Sequence, residues 1–161
     1  MRIQRLDEEN IALEEIDSVV VDLLLKIPAS ADPTGSDAAT ARLFPQPTAG
    51  REPEADEEWR EYVEPDLREL FRDAVGVVAD DLKHLSPGGA GELRKLNIPV
   101  SHLDAWIHAL NQARLALAAR HEFTDRELER EMALEGGARS FVLFQIHFYG
   151  LLQEFFLRQV E

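Results

Sequence analysis

Apolar residues recur at helical spacing through most of the chain. From about Glu9 to Ile27 the positions Ile16, Val19, Val20, Leu23, Leu24 and Ile27 mark one face, and Pro28 is expected to end that helix. A short helix is expected over Asp37–Leu43, stopped by Pro45, with proline- and glycine-rich loops at 28–36 and 45–53. Trp59, Tyr62 and Val63 make the apolar stripe of a helix that Pro65 breaks. Pro65 then opens the next helix, which runs to about Leu85 with Leu67, Leu70, Phe71, Ala74, Val78 and Leu82 turned inward.

Ser86 to Gly91 is a glycine-rich turn without the ending of a phosphate loop. Ser101, with Asp104 three residues on, is the expected N-cap of a helix to Phe123. Thr124 and Glu127 form a second capping box before a short helix ending near Gly136-Gly137, and the last helix covers about Ala138 to Gln159. Residues 1–6 are compatible with a short extended segment, a pattern too brief to decide. Alternating strand patterns are otherwise nearly absent. The expectation is therefore an all-α fold, one domain over residues 1–161 built as a compact bundle of about five or six helices.

Two helices stand out. In the 101–123 helix, Leu103, Trp106, Ile107, Leu110, Ala113 and Leu117 share a face at 100° per residue, and Arg114 falls in its middle. A guanidinium aimed at a core needs a carboxylate or several carbonyls, because an unpaired buried charge is costly. Glu154, Asp66 and Glu69 are the candidate partners, and Asn111, one turn back, can add an amide. Losing one partner of such a buried pair costs about 3–5 kcal/mol. The last helix is apolar over roughly two-thirds of its circumference, with Phe144, Phe148, Phe155 and Phe156 in its main stripe. It is expected either at the centre of the bundle or shared with a partner, a second copy of the chain included.

Charge narrows the function classes. The 161 residues hold 31 acidic and 17 basic side chains, a net −14, and half of that excess lies between Glu52 and Glu69. Such a field repels nucleic acid and anionic membrane surfaces, so neither is an expected partner. Glu57, Glu58 and Glu61 belong to this acidic stretch, read as a solvated face or a docking surface for a basic protein.

The chain has no cysteine, so disulfides and thiolate chemistry are excluded. Asp7, Glu8 and Glu9 interrupt any signal-like apolar start, and a cytoplasmic location is expected. Asp104 and His108 sit four apart but lack the second half of a metal site. His121 is placed to interact with a helix C-terminus, and His84 and His102 flank helix ends at the surface. No nucleophile pairs with a base, so no catalytic residue, metal or cofactor is expected.

Several stretches recur in order and spacing as a set: Ala41 to Pro45, Pro53 to Ala55, Glu58 to Tyr62, Glu64, and Asp66 to Arg68. They continue with Ala105-Trp106, Ala109 to Asn111, Arg114 to Leu117, and Leu152-Gln153-Glu154. Together they resemble a bacterial family, the domain of unknown function numbered twenty-seventeen, found mainly in actinobacteria. The chain departs at Ala118, where the family tends to have glycine, and at Gln112, where it tends to have aspartate. The resemblance implies no established activity. Such proteins are often encoded beside the adaptor of the Clp protease, which implies a regulatory or adaptor role in proteolysis. Some have been labelled transcriptional regulators, which the acidic charge of this chain opposes.

Two functions follow as expectations. The first is a non-catalytic interaction or regulatory protein acting through the acidic Glu52–Glu69 surface, the aromatic C-terminal helix, or both. The second is a small-ligand binder or enzyme built on Arg114, Asn111 and Glu154. An open pocket at Arg114 favours the second, and a sealed ion pair the first.

Overall fold

The computed structural model describes residues 1–130 and 136–160. It is mostly helical, but it carries a three-stranded antiparallel sheet, so the all-α expectation is corrected to a helical fold with a small sheet. Strands β1 (Arg2–Arg5) and β2 (Asn10–Ile16) form a hairpin, and β3 (Arg94–Pro99) lies along the other edge of β2. The hairpin turn is held by the Asp7 carboxylate, which accepts the backbone N–H groups of Glu9 and Asn10 at 2.8 and 2.7 Å.

The register places Ile3 opposite Leu13, and Leu13 opposite Leu96. Ile11 faces Ile98, so apolar pairs stack on one side of the sheet. Glu14 ties the strands together, with Arg2 at 2.6 Å and Lys95 at 3.2 Å. A bulge follows Leu13, and there Glu15 adopts a left-handed conformation with φ 54°.

The helix expected over residues 9–27 is thus a strand followed by two short helices, α1 (Ser18–Leu25) and α2 (Ile27–Ala31). The Asp17 side chain caps α1 by accepting the Val20 N–H. Pro28 opens α2 where it was expected to stop a helix, because the first helical turn has no use for its missing N–H.

The remaining helices are α3 (Asp37–Leu43), α4 (Pro53–Tyr62), α5 (Glu64–Leu82), α6 (Leu103–Arg120), α7 (Asp125–Leu128) and α8 (Ala138–Val160). A 3-10 turn at Val100–His102 leads into α6, so the expected Ser101 cap makes no side-chain bond. The Thr124–Glu127 capping box forms as expected. Helix α7 ends at Leu128, with Glu129 as its C-cap, well before the end expected near Gly136-Gly137.

Helix α6 is the centre of the fold and packs against α2, α3, α5 and α8. Its stripe Leu103, Trp106, Ile107, Leu110, Ala113 and Leu117 is buried, and so are Ala109, Gln112 and Ala116 on its other side. One face meets the main core, which includes β2, β3, α1, α2, α5 and α8. The other meets a smaller cluster of Ala39, Leu43 and Phe44, with Trp59, Leu67 and Phe71 packed against it. Alanines at 109, 113 and 116 let neighbouring helices approach α6 closely.

Helix α8 lies beside this hub, which corrects the alternative that placed it at the centre. By length and composition α8 is apolar enough to cross a membrane, a test that core helices also pass. Buried polar bonds fasten it here: Gln145 donates to Ser30 Oγ at 3.0 Å and to Tyr149 Oη at 2.8 Å. Tyr149 in turn donates to the Leu23 carbonyl at 2.7 Å.

Three expected inward residues point out instead. Tyr62 on α4, Val63 at the junction of the two helices and Leu70 on α5 are exposed. Their helices rest on α6 and the small cluster through Trp59, Leu67 and Phe71, which leaves the far side of each to solvent.

Candidate functional site

The outer edges of α6 and α8 leave a groove of about 680 Å³, and Arg114 lines it. The residue sits at the margin of the buried stripe of α6 and is half-buried. Its apolar stem runs along the helices while its head reaches the groove. Nη1 donates to Gln153 Oε1 on α8 at 2.6 Å, and Gln153 Nε2 reaches back to the Ile107 carbonyl at 3.4 Å. Nε is buried and has no partner among the described residues.

The flat guanidinium lies against Gly150 of α8. A Cβ there would come within 3.3 Å of Cζ and Nε, so the bare backbone makes the space that the guanidinium fills. Glycine inside a helix costs about 1 kcal/mol relative to alanine, and here it permits a close helix-to-arginine contact.

The expected clasp to a carboxylate does not form among the described residues. Glu154 lines the same groove but is exposed and pairs with Arg158 one turn on. Asp66 and Glu69 are exposed on α5 and make no ion pair with Arg114. Arg114 lies at the edge of the core stripe and not at its centre, so a neutral amide on one side and the open groove on the other suffice. Asn111 is exposed and lines the groove without bonding to Arg114. His147 also lines it, with Nε2 held 2.9 Å from the Leu128 carbonyl, which joins α7 to α8. A carbonyl only accepts, so that nitrogen carries the proton.

The walls are apolar, with Leu115, Ala118 and Ile146 inside and Leu151 and Leu157 exposed at the rim. The lining residues hold no serine, threonine, cysteine, lysine or tyrosine.

The aromatic face of α8 is turned largely to the core. Phe156 is fully buried, edge-on to Trp106 at 5.8 Å between centroids, so it cannot meet a partner. Phe144, Phe148 and Phe155 are half-buried against the same core. Glu57, Glu58 and Glu61 are exposed on α4. Their neighbour Asp56 is buried and anchors the preceding loop by accepting the Thr48 and Gly50 N–H groups at 2.9 and 2.8 Å.

Asp104 and His108 form an exposed pair, Oδ1 to Nε2 3.7 Å. No group of three or more metal-ligating side chains exists among the described residues. His84 and His121 are exposed.

His102 is more than a surface residue. Its Nδ1 lies 2.9 Å from Asp81, a buried carboxylate that also accepts the Trp106 Nε1–H at 2.8 Å. Asp81 follows Ala74 and Val78 at spacings of seven and three on the inward face of α5. That periodicity was the signal available in the sequence.

The sequence profile of a family described as a domain of unknown function (DUF2017) matches residues 4–160. The chain belongs to the DUF2017 family. No curated protein and no solved structure is significantly similar to it. Both faces of the groove, on α6 and on α8, fall within the DUF2017 match.

Proposed function

We propose that this protein is a non-catalytic interaction protein whose α6–α8 groove docks a short apolar peptide segment bearing a carboxylate. The observation that carries this reading is Arg114, a half-buried guanidinium that lines the groove and has a neutral amide, Gln153, as its one side-chain partner among the described residues. A carboxylate supplied from outside would complete its fork, and the exposed Leu151 and Leu157 offer the apolar contact that excludes water around the bond. A cytoplasmic setting and a partner in proteolysis, the association implied by the family, belong to this reading as the first place to look. Self-association through the same groove is an alternative outcome of the test.

The test selects short peptides from a random library on the wild-type protein. Enriched sequences are expected to hold an Asp, a Glu or a free C-terminus flanked by apolar residues. Arg114→Met keeps the stem and removes the charge, so unfolding stability changes by about 1 kcal/mol or less while peptide affinity falls at least about tenfold. Gly150→Ala is expected to do the same by another route. It gains about 1 kcal/mol of helix propensity, but its Cβ displaces the guanidinium from Gln153. Peptides that bind both variants as tightly as wild type would overturn the proposal. A concentration-dependent rise in mass that both variants abolish, with no peptide enriched, would replace it with a homodimer.

A further inference from the structure

On the other side of α6, a cleft of about 350 Å³ opens between α5, the end of α2 and the end of α3. Its walls include Leu43, Phe44 and Phe71, the two rings tilted at 34° with centroids 5.4 Å apart. Arg68 lies over the Phe44 ring at 4.1 Å, with Nε 3.6 Å from Glu64. Arg72 is exposed at the same cleft and makes no ion pair among the described residues. Asp32 is the one carboxylate in the lining, and its Oδ1 already accepts the Thr34 N–H at 2.9 Å. With Arg68 paired to Glu64 and Asp32 already engaged, Arg72 stands at the cleft as a guanidinium without an ion pair among the described residues, in a chain whose net charge is −14.

The deciding residue is Gln112. It is only 3% exposed, it contributes to the cleft wall, and its Nε2 has no hydrogen-bond partner among the described residues. Buried amides are nearly always satisfied, and one left open beside a cleft marks the place where a further acceptor belongs.

We infer that this cleft binds a small aromatic carboxylate. The flat body lies against Phe44 and Phe71, the carboxylate meets Arg68 and Arg72, and a second acceptor on the ligand takes the Gln112 amide. The volume suits a molecule of one or two rings. A guanidinium stacked on an aromatic ring presents its N–H edge to such a head group. The site shares no residue with the α6–α8 groove, so it stands or falls independently of the peptide-docking reading.

The experiment titrates the full chain with sodium 6-hydroxy-2-naphthoate and follows side-chain amide resonances by nuclear magnetic resonance. The Gln112 amide is assigned by its loss in Gln112→Met. Saturable shifts of that amide are expected. Arg72→Gln, which alters an exposed side chain and leaves the core intact, is expected to weaken binding about tenfold, the usual scale for one charge-assisted bond. Gln112→Met is expected to weaken it several-fold, and Arg114→Met to leave it unchanged. The neutral 2-naphthol is expected to bind far more weakly than the naphthoate. The inference is overturned if the Gln112 amide does not move, if Arg72→Gln and Gln112→Met both bind as wild type does, or if Arg114→Met abolishes binding.

Discussion

Replacing Trp106 with alanine lowers the free energy of unfolding by about 3–5 kcal/mol, the range for removing a large aromatic from a core. Trp106 is fully buried on α6, the helix that most others touch, and packs edge-on against Phe156. The substitution also strips a donor from Asp81, which keeps only its contact with His102. Trp106→Phe separates the two effects. It retains most of the packing and loses the N–H, so its cost is expected near the 1–3 kcal/mol of an under-bonded buried polar group. Urea unfolding followed by circular dichroism measures both. A Trp106→Ala loss below about 1 kcal/mol would be incompatible with a buried tryptophan at the hub.

The second large effect is expected at alkaline pH. Burial pushes the Tyr149 hydroxyl up from 10.0 to about 12, opposed in part by its bond with Gln145. A raised pKa in the folded state means that the folded protein holds this proton more tightly than the unfolded chain does. The resulting stability is fully present below pH 10 and is lost as pH rises from about 10 to about 12. That separation corresponds to roughly 3 kcal/mol. Tyr149→Phe removes this part of the pH dependence. At neutral pH it costs about 1–3 kcal/mol, because the Leu23 carbonyl loses its donor inside the core. Urea midpoints of the two proteins across the alkaline range check both statements, since the two differ only at residue 149. Parallel loss of stability in the two would contradict a neutral, buried Tyr149.

How much of this was legible in the sequence depends on what each residue contacts. The stripes of α5, α6 and α8 were readable because a helix carries its periodicity within itself. The stretch from residue 10 to 27 misled because Ile16, Val19, Val20 and Leu23 keep helical spacing across a junction where a strand ends and a helix starts. Asp17 before Ser18 was the available stop sign. The alternation at Leu96 and Ile98 is only a few residues long, and β3 exists because β2 lies beside it, a pairing the local sequence cannot announce.

The candidate site was half legible. Arg114 was found as a charge on an apolar face, but the spacing could not tell the centre of that face from its margin. Glu154 was chosen for its charge, although Arg158 four residues on was its nearer match. The burial of Gln153, Asp81 and Gln112 is not written in the local sequence, because a polar residue reveals its burial only when the neighbouring helices are in place.

The position of α6 also orders the birth of the fold. Leu23, Ile27, Ala39, Leu43 and Val78 all lie upstream of the helix that helps to cover them, and Ile11 finds Ile98 only across the whole intervening chain. Contacts of such long range form slowly, because the loop between them must first be closed. A chain emerging from the ribosome therefore carries an uncovered apolar surface until residue 120 has cleared the exit tunnel. Over that interval the like charge of its strongly negative N-terminal half opposes contact between nascent copies.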